Sequence, residues 1–440
     1  MSSRRVLVLT IAIAWAATDP TGLLSQAIAD PSEHAARLLA SAPRAEVHEE
    51  RVQAGGPDSL TLRVILKPET AARASRLIEA TKSALLTLGE WHGAFPGTAL
   101  TVVDARWDSG LAGASYPGVI AVTARLLEPD GDRSLERSVI AAVARQYWQV
   151  PPGADAERRW LGEGLALYAG IRAIHEELES NHFRTARLFG GFVPFTSRAV
   201  LWSPSPTDPR PKIRHFPEIE QPAEAAWRAW TAASRGEAQR VALTLHTLER
   251  YLGWPAMQQA LEAFQSRWQA GGAGPADLVA TISEQRGTDM RWFFEQALRF
   301  ETRFDYGIAG FSSKPAPGAT GDYETRVSVR RFGDGVFAGT GEPRGPLQAA
   351  RSLKVLTRFE DGTVIEDWWD GRDAAAEFVY AGPSRALLAS VDPEAMLLLD
   401  DNRGNNTRAL SPEFTETGAR LTASWLIWLQ DVMLVSSALL

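Results

Sequence analysis

The hydrophobic period changes partway along the chain, and that change limits the fold more than any other feature. Up to about residue 300, apolar residues recur mostly at helical spacing, with a few short alternating runs between the helices. Beyond residue 322 the period becomes 2. Tyr323, Thr325, Val327 and Val329 alternate with Glu324, Arg326, Ser328 and Arg330. Asp361-Gly362 sits between two strand-like runs, the strongest short hairpin signal. A mainly helical α/β region followed by an all-β region is therefore expected. The Pro/Gly/Ser-rich run 311–322 (FSSKPAPGATGD) reads as the linker between them.

In the first region, strands are expected at 59–66, 99–103 and 119–123. Helices are expected at 71–88, 135–148, 160–177, 237–251 and 255–268, with a short one at 288–299. Strands near 353–360, 363–369, 376–381 and 385–391 suggest a small antiparallel sandwich over 323–410. Residues 30–58 read as a polar lead-in. Residues 203–222 hold six prolines and read as a long non-helical connection.

Both ends carry their own signals. Arg4 and Arg5 precede an apolar run, and Ala27-Ile28-Ala29 has the small-x-small form of a cleavage site, so 1–29 reads as an export signal peptide. A retained anchor helix is the other reading. Export points to the bacterial periplasm or cell envelope. At the other end, 421–440 is apolar and helical in pattern, and at roughly 30 Å it could just span a bilayer. Asp431 near its middle opposes that, at about 2.5–3.5 kcal/mol. A helix packed on the protein and a membrane-associating tail both stand.

Composition excludes some classes. A net charge of −7 with no basic run gives no footprint for nucleic acid. The absence of cysteine removes disulfides, thiolate metal sites and thiol nucleophiles. The seven histidines form no ligand pattern. His175 and His182 stand about 10 Å apart along a helix axis, too far to share one ion, and read as surface residues. Asp400, Asp401, Asn402 and Asn405 could suggest a calcium loop, but an ordinary strand-ending turn explains them as well. The 15 tryptophans fit core packing better than an aromatic cleft for carbohydrate.

Four stretches, in order, carry a family resemblance. They are Gly113-Ala114-Ser115-Tyr116-Pro117-Gly118-Val119-Ile120, then Val139 to Trp148 (VIAAVARQYW), then Trp160 to Tyr168 (WLGEGLALY), then Ser234-Arg235-Gly236 leading into the helix from Leu243. Together they resemble the catalytic domain of the aminopeptidase-N-like gluzincin metallopeptidases. The resemblance implies an α+β architecture: a gluzincin (thermolysin-like) peptidase domain with mixed sheet and helical lobe over 59–310. A small antiparallel β-sandwich and an apolar C-terminal helix would follow. The large N-terminal β-domain and the helical-repeat domain of full-length members have no counterpart in it.

The same resemblance shows what is missing. Family members bind one zinc through the two His of an HExxH helix, whose Glu activates the metal-bound water. The matching positions are Ala141, Ala142 and Arg145. A methyl cannot ligate zinc, and a guanidinium has no lone pair to offer. Ala142 cannot move a proton. The amine-gripping carboxylate falls at Ser115, and the transition-state Tyr at Ala233. Only Glu163 keeps a ligand-type side chain, 18 residues after Arg145.

The expectation is a pseudopeptidase of the cell envelope, with no metal ligand set, no catalytic residue and no cofactor where the family would bind zinc. An active metallopeptidase or aminopeptidase using a non-standard site is the alternative. Arg145 and Glu163 would form the remnant site, as a bidentate ion pair in place of the metal. The stretch Tyr116, Gly118, Val119 and Ala121 would offer a sheet edge to an extended peptide, with an inert scaffold equally open. Peptides or envelope proteins are the expected partners.

Overall fold

The computed structural model describes residues 46–56, 59–104, 115–122, 134–150, 154–174, 176, 236–299, 301–317, 321–337 and 353–410. The signal region 1–29, the proline-rich segment 203–222, Ala233, His175, His182 and the apolar segment 421–440 lie outside them. Among the described residues, no helix is long and apolar enough to cross a membrane. The fold is mixed α+β, with several sheets. The chain divides into two compact units.

The first unit is built on a five-stranded sheet of order β1-β2-β3-β5-β4. Its strands are β1 (Glu46–Gln53), β2 (Ser59–Leu66), β3 (Ala99–Asp104), β4 (Ser115–Tyr116) and β5 (Val119–Val122). β2, β3 and β5 run parallel, and β1 and β4 pair antiparallel at the two ends. The centre of the sheet is dry: Leu62, Val64, Leu100, Val102, Ile120 and Ala121 are buried. That matches a sheet whose inner strands are covered on both faces.

Three helices complete the unit: α1 (Ala74–His92), α2 (Ser134–Tyr147) and α3 (Ala156–Ile174). A 3-10 turn at Pro68–Arg73 leads into α1. Leu77, Ala84, Leu85 and Leu88 recur at helical spacing and are buried. Arg76 of α1 reaches Glu136 of α2 with two hydrogen bonds of 2.6 Å, a forked ion pair that joins the helices.

α2 and α3 run antiparallel at close range, because glycine lets them. A Cβ on Gly170 would stand 3.4 Å from Ala141 Cα. One on Gly162 would stand 3.1 Å from the Trp148 carbonyl oxygen and 2.5 Å from the Val150 side chain. The second figure leaves no room for a methyl group.

The second unit begins with helices α4 (Gly236–Leu252), α5 (Trp254–Gln269), α6 (Pro275–Arg286) and α7 (Arg291–Ala297). The last turn of α5 belongs to the first unit. Two antiparallel sheets follow, of order β10-β7-β6 and β12-β11-β8-β9. Their strands are β6 (Tyr306–Pro315), β7 (Tyr323–Arg331), β8 (Leu353–Phe359), β9 (Val364–Trp369), β10 (Ala375–Gly382), β11 (Ala386–Val391) and β12 (Thr407–Ala409). The sheets contact each other through β6, β7, β11 and β12, which gives the small sandwich. Val327, Val329, Val355, Ala389 and Val391 fill its interior. The Asp361-Gly362 turn joins β8 to β9, with Gly362 at φ 87° as the tight hairpin demands.

Three expectations need correction. Residues 311–315 are not linker. They complete β6 and pair with β7 out to Pro315↔Tyr323. Residues 46–53 are not a loose lead-in but the edge strand β1. Helix α6 was not expected at all. The compact units also do not part at residue 310, since α6 and α7 belong with the sandwich.

Candidate functional site

The positions singled out by the resemblance converge on α2, α3 and the β4–β5 turn. Their geometry differs from one position to the next.

Ala142 is 1% exposed, within the buried row Val139, Ile140, Ala142 and Val143 of α2. Ala141 is half-buried and faces Gly170 of α3. The two alanines are thus ordinary packing residues in a tight helix pair. Arg145 and Glu163 differ, since both keep solvent contact.

The α2–α3 register brings these two charges to the same end of the helix pair. Gly162 packs at the Trp148 level and Gly170 at the Ala141 level, so residue 163 lies near the C-terminal turn of α2 that carries Arg145. Burial holds the Arg145 guanidinium below its ordinary pKa, and the Glu163 charge opposes that shift. A side chain that is accessible yet desolvated sits in a recess. No ion pair within 4.0 Å joins Arg145 and Glu163 among the described residues. The expected bidentate contact is therefore not made. Since both groups reach water, neither requires the other for solvation.

Ser115, in the place of the amine-gripping carboxylate, is held by α2. Gln146, 1% exposed, donates through Nε2 to Ser115 Oγ at 2.6 Å and to the Tyr116 carbonyl at 2.9 Å. Its Oε1 accepts from the Gly118 amide at 2.9 Å. One glutamine thereby fixes the β4–β5 turn, in which Gly118 takes φ +70°. The sequence analysis gave Gln146 no role. Its only signal was a polar residue inside an apolar helical stretch.

Val119 and Ala121 are buried, with side chains turned into the sheet. β4 covers the outer edge of β5 at Val119 and Ile120. At Ala121 and Val122 the register places β3 on one side and, among the described residues, no strand on the other. A peptide edge, if used, is confined to that end of β5 and to β4 itself.

Beneath this region lies an aromatic cluster. His92 closes α1 against Trp148 and Tyr147, with ring centroids 5.2 and 5.9 Å away. Trp148 meets Trp268 of α5 at 6.2 Å, and the Trp268 indole donates to the Gln149 carbonyl at 3.1 Å. Neither ring nitrogen of His92 finds a hydrogen-bond partner among the described residues, and burial pushes its pKa down to about 3. Trp148, Trp268 and Trp369 are buried, in keeping with the packing role expected of the tryptophans, while Trp368 is exposed.

The 400–406 segment is a turn. Asp400 accepts from the Asn402 amide at 3.1 Å and from Asn406 Nδ2 at 3.0 Å. Among the described residues, no group of His, Cys, Asp or Glu side chains is arranged to hold a metal ion.

A zinc centre was tested at α2 and α3 on the donors present. The set is two methyl groups, one guanidinium and one carboxylate, and the position matching the general base is closed into the core. These residues do not fit zinc.

Comparison with known proteins gives a structural likeness and nothing further. No protein-family model matches the chain, and no curated protein matches it. Among solved structures, it is similar to Legionella pneumophila aminopeptidase A in complex with aspartic acid, at 14% identity and a TM-score of 0.45, over 81% of this chain and 38% of that one. It is also similar to the M1 zinc metallopeptidase from Deinococcus radiodurans, at 18% identity and a TM-score of 0.37, over 58% of this chain and 51% of that one. The chain thus spans well under two thirds of either protein.

Proposed function

We propose that this protein is a catalytically inactive, aminopeptidase-like module of the cell envelope, one that binds or scaffolds without hydrolysing. The observation that carries this reading is the state of α2. At the four positions of HExxH chemistry and its third ligand stand Ala141, Ala142, Arg145 and Glu163, and Ala142 is sealed at 1% exposure. Restoring a base there would mean burying a charge, so the site is closed as well as depleted. The ordered β4–β5 turn, clamped by Gln146, supports a retained ligand-facing surface. The signal-like pattern at 1–29 supports export.

The test is hydrolysis of aminoacyl-anilide substrates by the purified chain, with and without added zinc. Background rates in both conditions are expected. Turnover that follows zinc addition and disappears with a chelator would contradict the reading.

A further inference from the structure

The first unit pairs its charges with care, except at one place. Arg76 is forked on Glu136, Lys67 reaches the buried Asp104 at 3.5 Å, Arg63 meets Glu49 at 2.9 Å and Lys82 meets Glu50 at 3.1 Å. Arg145 and Glu163 are opposite in sign, lie on adjacent helices, and sit near the same end of the helix pair. Yet they make no direct contact. Each feels the other's field across a gap wider than an ion pair.

We propose that this gap is a binding site for a small zwitterion, a free α-amino acid, with its carboxylate on Arg145 and its ammonium on Glu163. The inference rests on the binding reading above and deepens it by naming the ligand class.

The chemistry runs as follows. A guanidinium presents a planar fork of donors that matches a carboxylate with two parallel hydrogen bonds. A carboxylate accepts from an ammonium in the same charge-assisted way. An α-amino acid carries both charges on neighbouring atoms, so it can bridge an Arg and a Glu that do not reach each other. Its net charge is zero, as is that of the pair, so neither partner is left uncompensated. The protein mass around the Arg145 head lowers the local dielectric and strengthens both contacts. Ala141 and Gly170 line the helix contact alongside with no side-chain bulk beyond a methyl group. A ligand with only one of the two charges would leave its opposite number unmatched.

The experiment is thermal melting of the full chain with each standard L-amino acid at millimolar concentration, followed by titration calorimetry on the strongest. The amide and the N-acetyl form of that amino acid are titrated beside it, against wild type, Arg145→Met and Glu163→Gln. Both substitutions are at solvent-accessible positions, and unliganded melting curves verify folding. The amide and the N-acetyl form are expected to bind roughly ten-fold or more weakly to wild type. Arg145→Met should bind acid and amide alike, and Glu163→Gln should bind free and acetylated amines alike.

Equal binding of acid and amide to wild type overturns the proposal. So does unchanged discrimination in both variants. A capped peptide, N-acetyl-Ala-Ala-Ala-amide, separates the two levels. If it binds wild type and Arg145→Met equally while no free amino acid binds, the binding module stands and the zwitterion site falls. If nothing binds, both fall.

Discussion

His92 should make the first unit sensitive to acid, by an amount that can be worked out. Its imidazole is 4% exposed, packed among Trp91, Tyr147 and Trp148, and held neutral with its pKa pushed down from 6.5 to about 3. The sign follows from linkage. The unfolded chain takes up a proton near 6.5 and the folded chain does not, so stability is full above that pH and is lost as pH falls toward 3. Each unit of pH below 6.5 costs about 1.4 kcal/mol, so at pH 4.5 the loss is roughly 2.7 kcal/mol from this one group. Other titrating groups contribute too, and they cancel in a comparison with His92→Leu. The assay is amide hydrogen exchange in α1 and α2, which reports this unit apart from the sandwich. The stability gap between His92→Leu and wild type should widen by roughly 2.7 kcal/mol in favour of the variant between pH 7.5 and 4.5. A gap that does not move with pH would refute the reasoning.

The second unit should show the opposite slope. Burial pushes Asp400 up from 3.8 to about 7, so its contribution is greatest in acid and is lost as pH rises through about 7, by about 4 kcal/mol in all. Asp400→Asn should flatten that part of the pH profile, as read by exchange in β11 and β12. Gln146→Ala removes three hydrogen bonds from the β4–β5 turn and should cost about 2–3 kcal/mol in chemical denaturation, with a Gln146→Glu variant also weakened because it loses its donor. Ala142→Glu should destabilise the first unit by more than about 2 kcal/mol, since its carboxylate enters the core unpaired; a neutral effect on melting would show that position 142 opens to solvent.

Much of the architecture was legible in the sequence, for identifiable reasons. The sandwich strands alternate cleanly because one face of each sheet packs and the other is wet, and the Asp361-Gly362 hairpin gave its register. Helices α1 to α5 carry apolar residues at helical spacing and were expected within a few residues of their bounds, apart from later starts read for α1 and α3. The failures share a cause, which is weak hydrophobic signal. β1 (EVHEERVQ) has a single buried side chain, because an end strand gains its order from its hydrogen-bonded neighbour. The Ser-Ser-Lys-Pro end of β6 lies on the edge of its sheet and reads as linker for the same reason. α6 has little amphipathic contrast, although Pro275 at its first turn and Gly287 in the left-handed region just past its end were signals to be read. At the candidate site, the identities of Ala141, Ala142 and Arg145 told which chemistry was missing. They could not tell that Ala142 is sealed while Arg145 is open, because exposure depends on how α3 closes against α2 through Gly162 and Gly170.

The central claim, that the α2–α3 site no longer supports metal chemistry, is tested most directly by the zinc content of the purified chain. Elemental analysis would follow exhaustive dialysis in chelator-free buffer and then against micromolar zinc. The account predicts no stoichiometric zinc in either sample. One tightly held zinc per chain would contradict it, and would mean that a ligand set other than Ala141, Arg145 and Glu163 serves the fold.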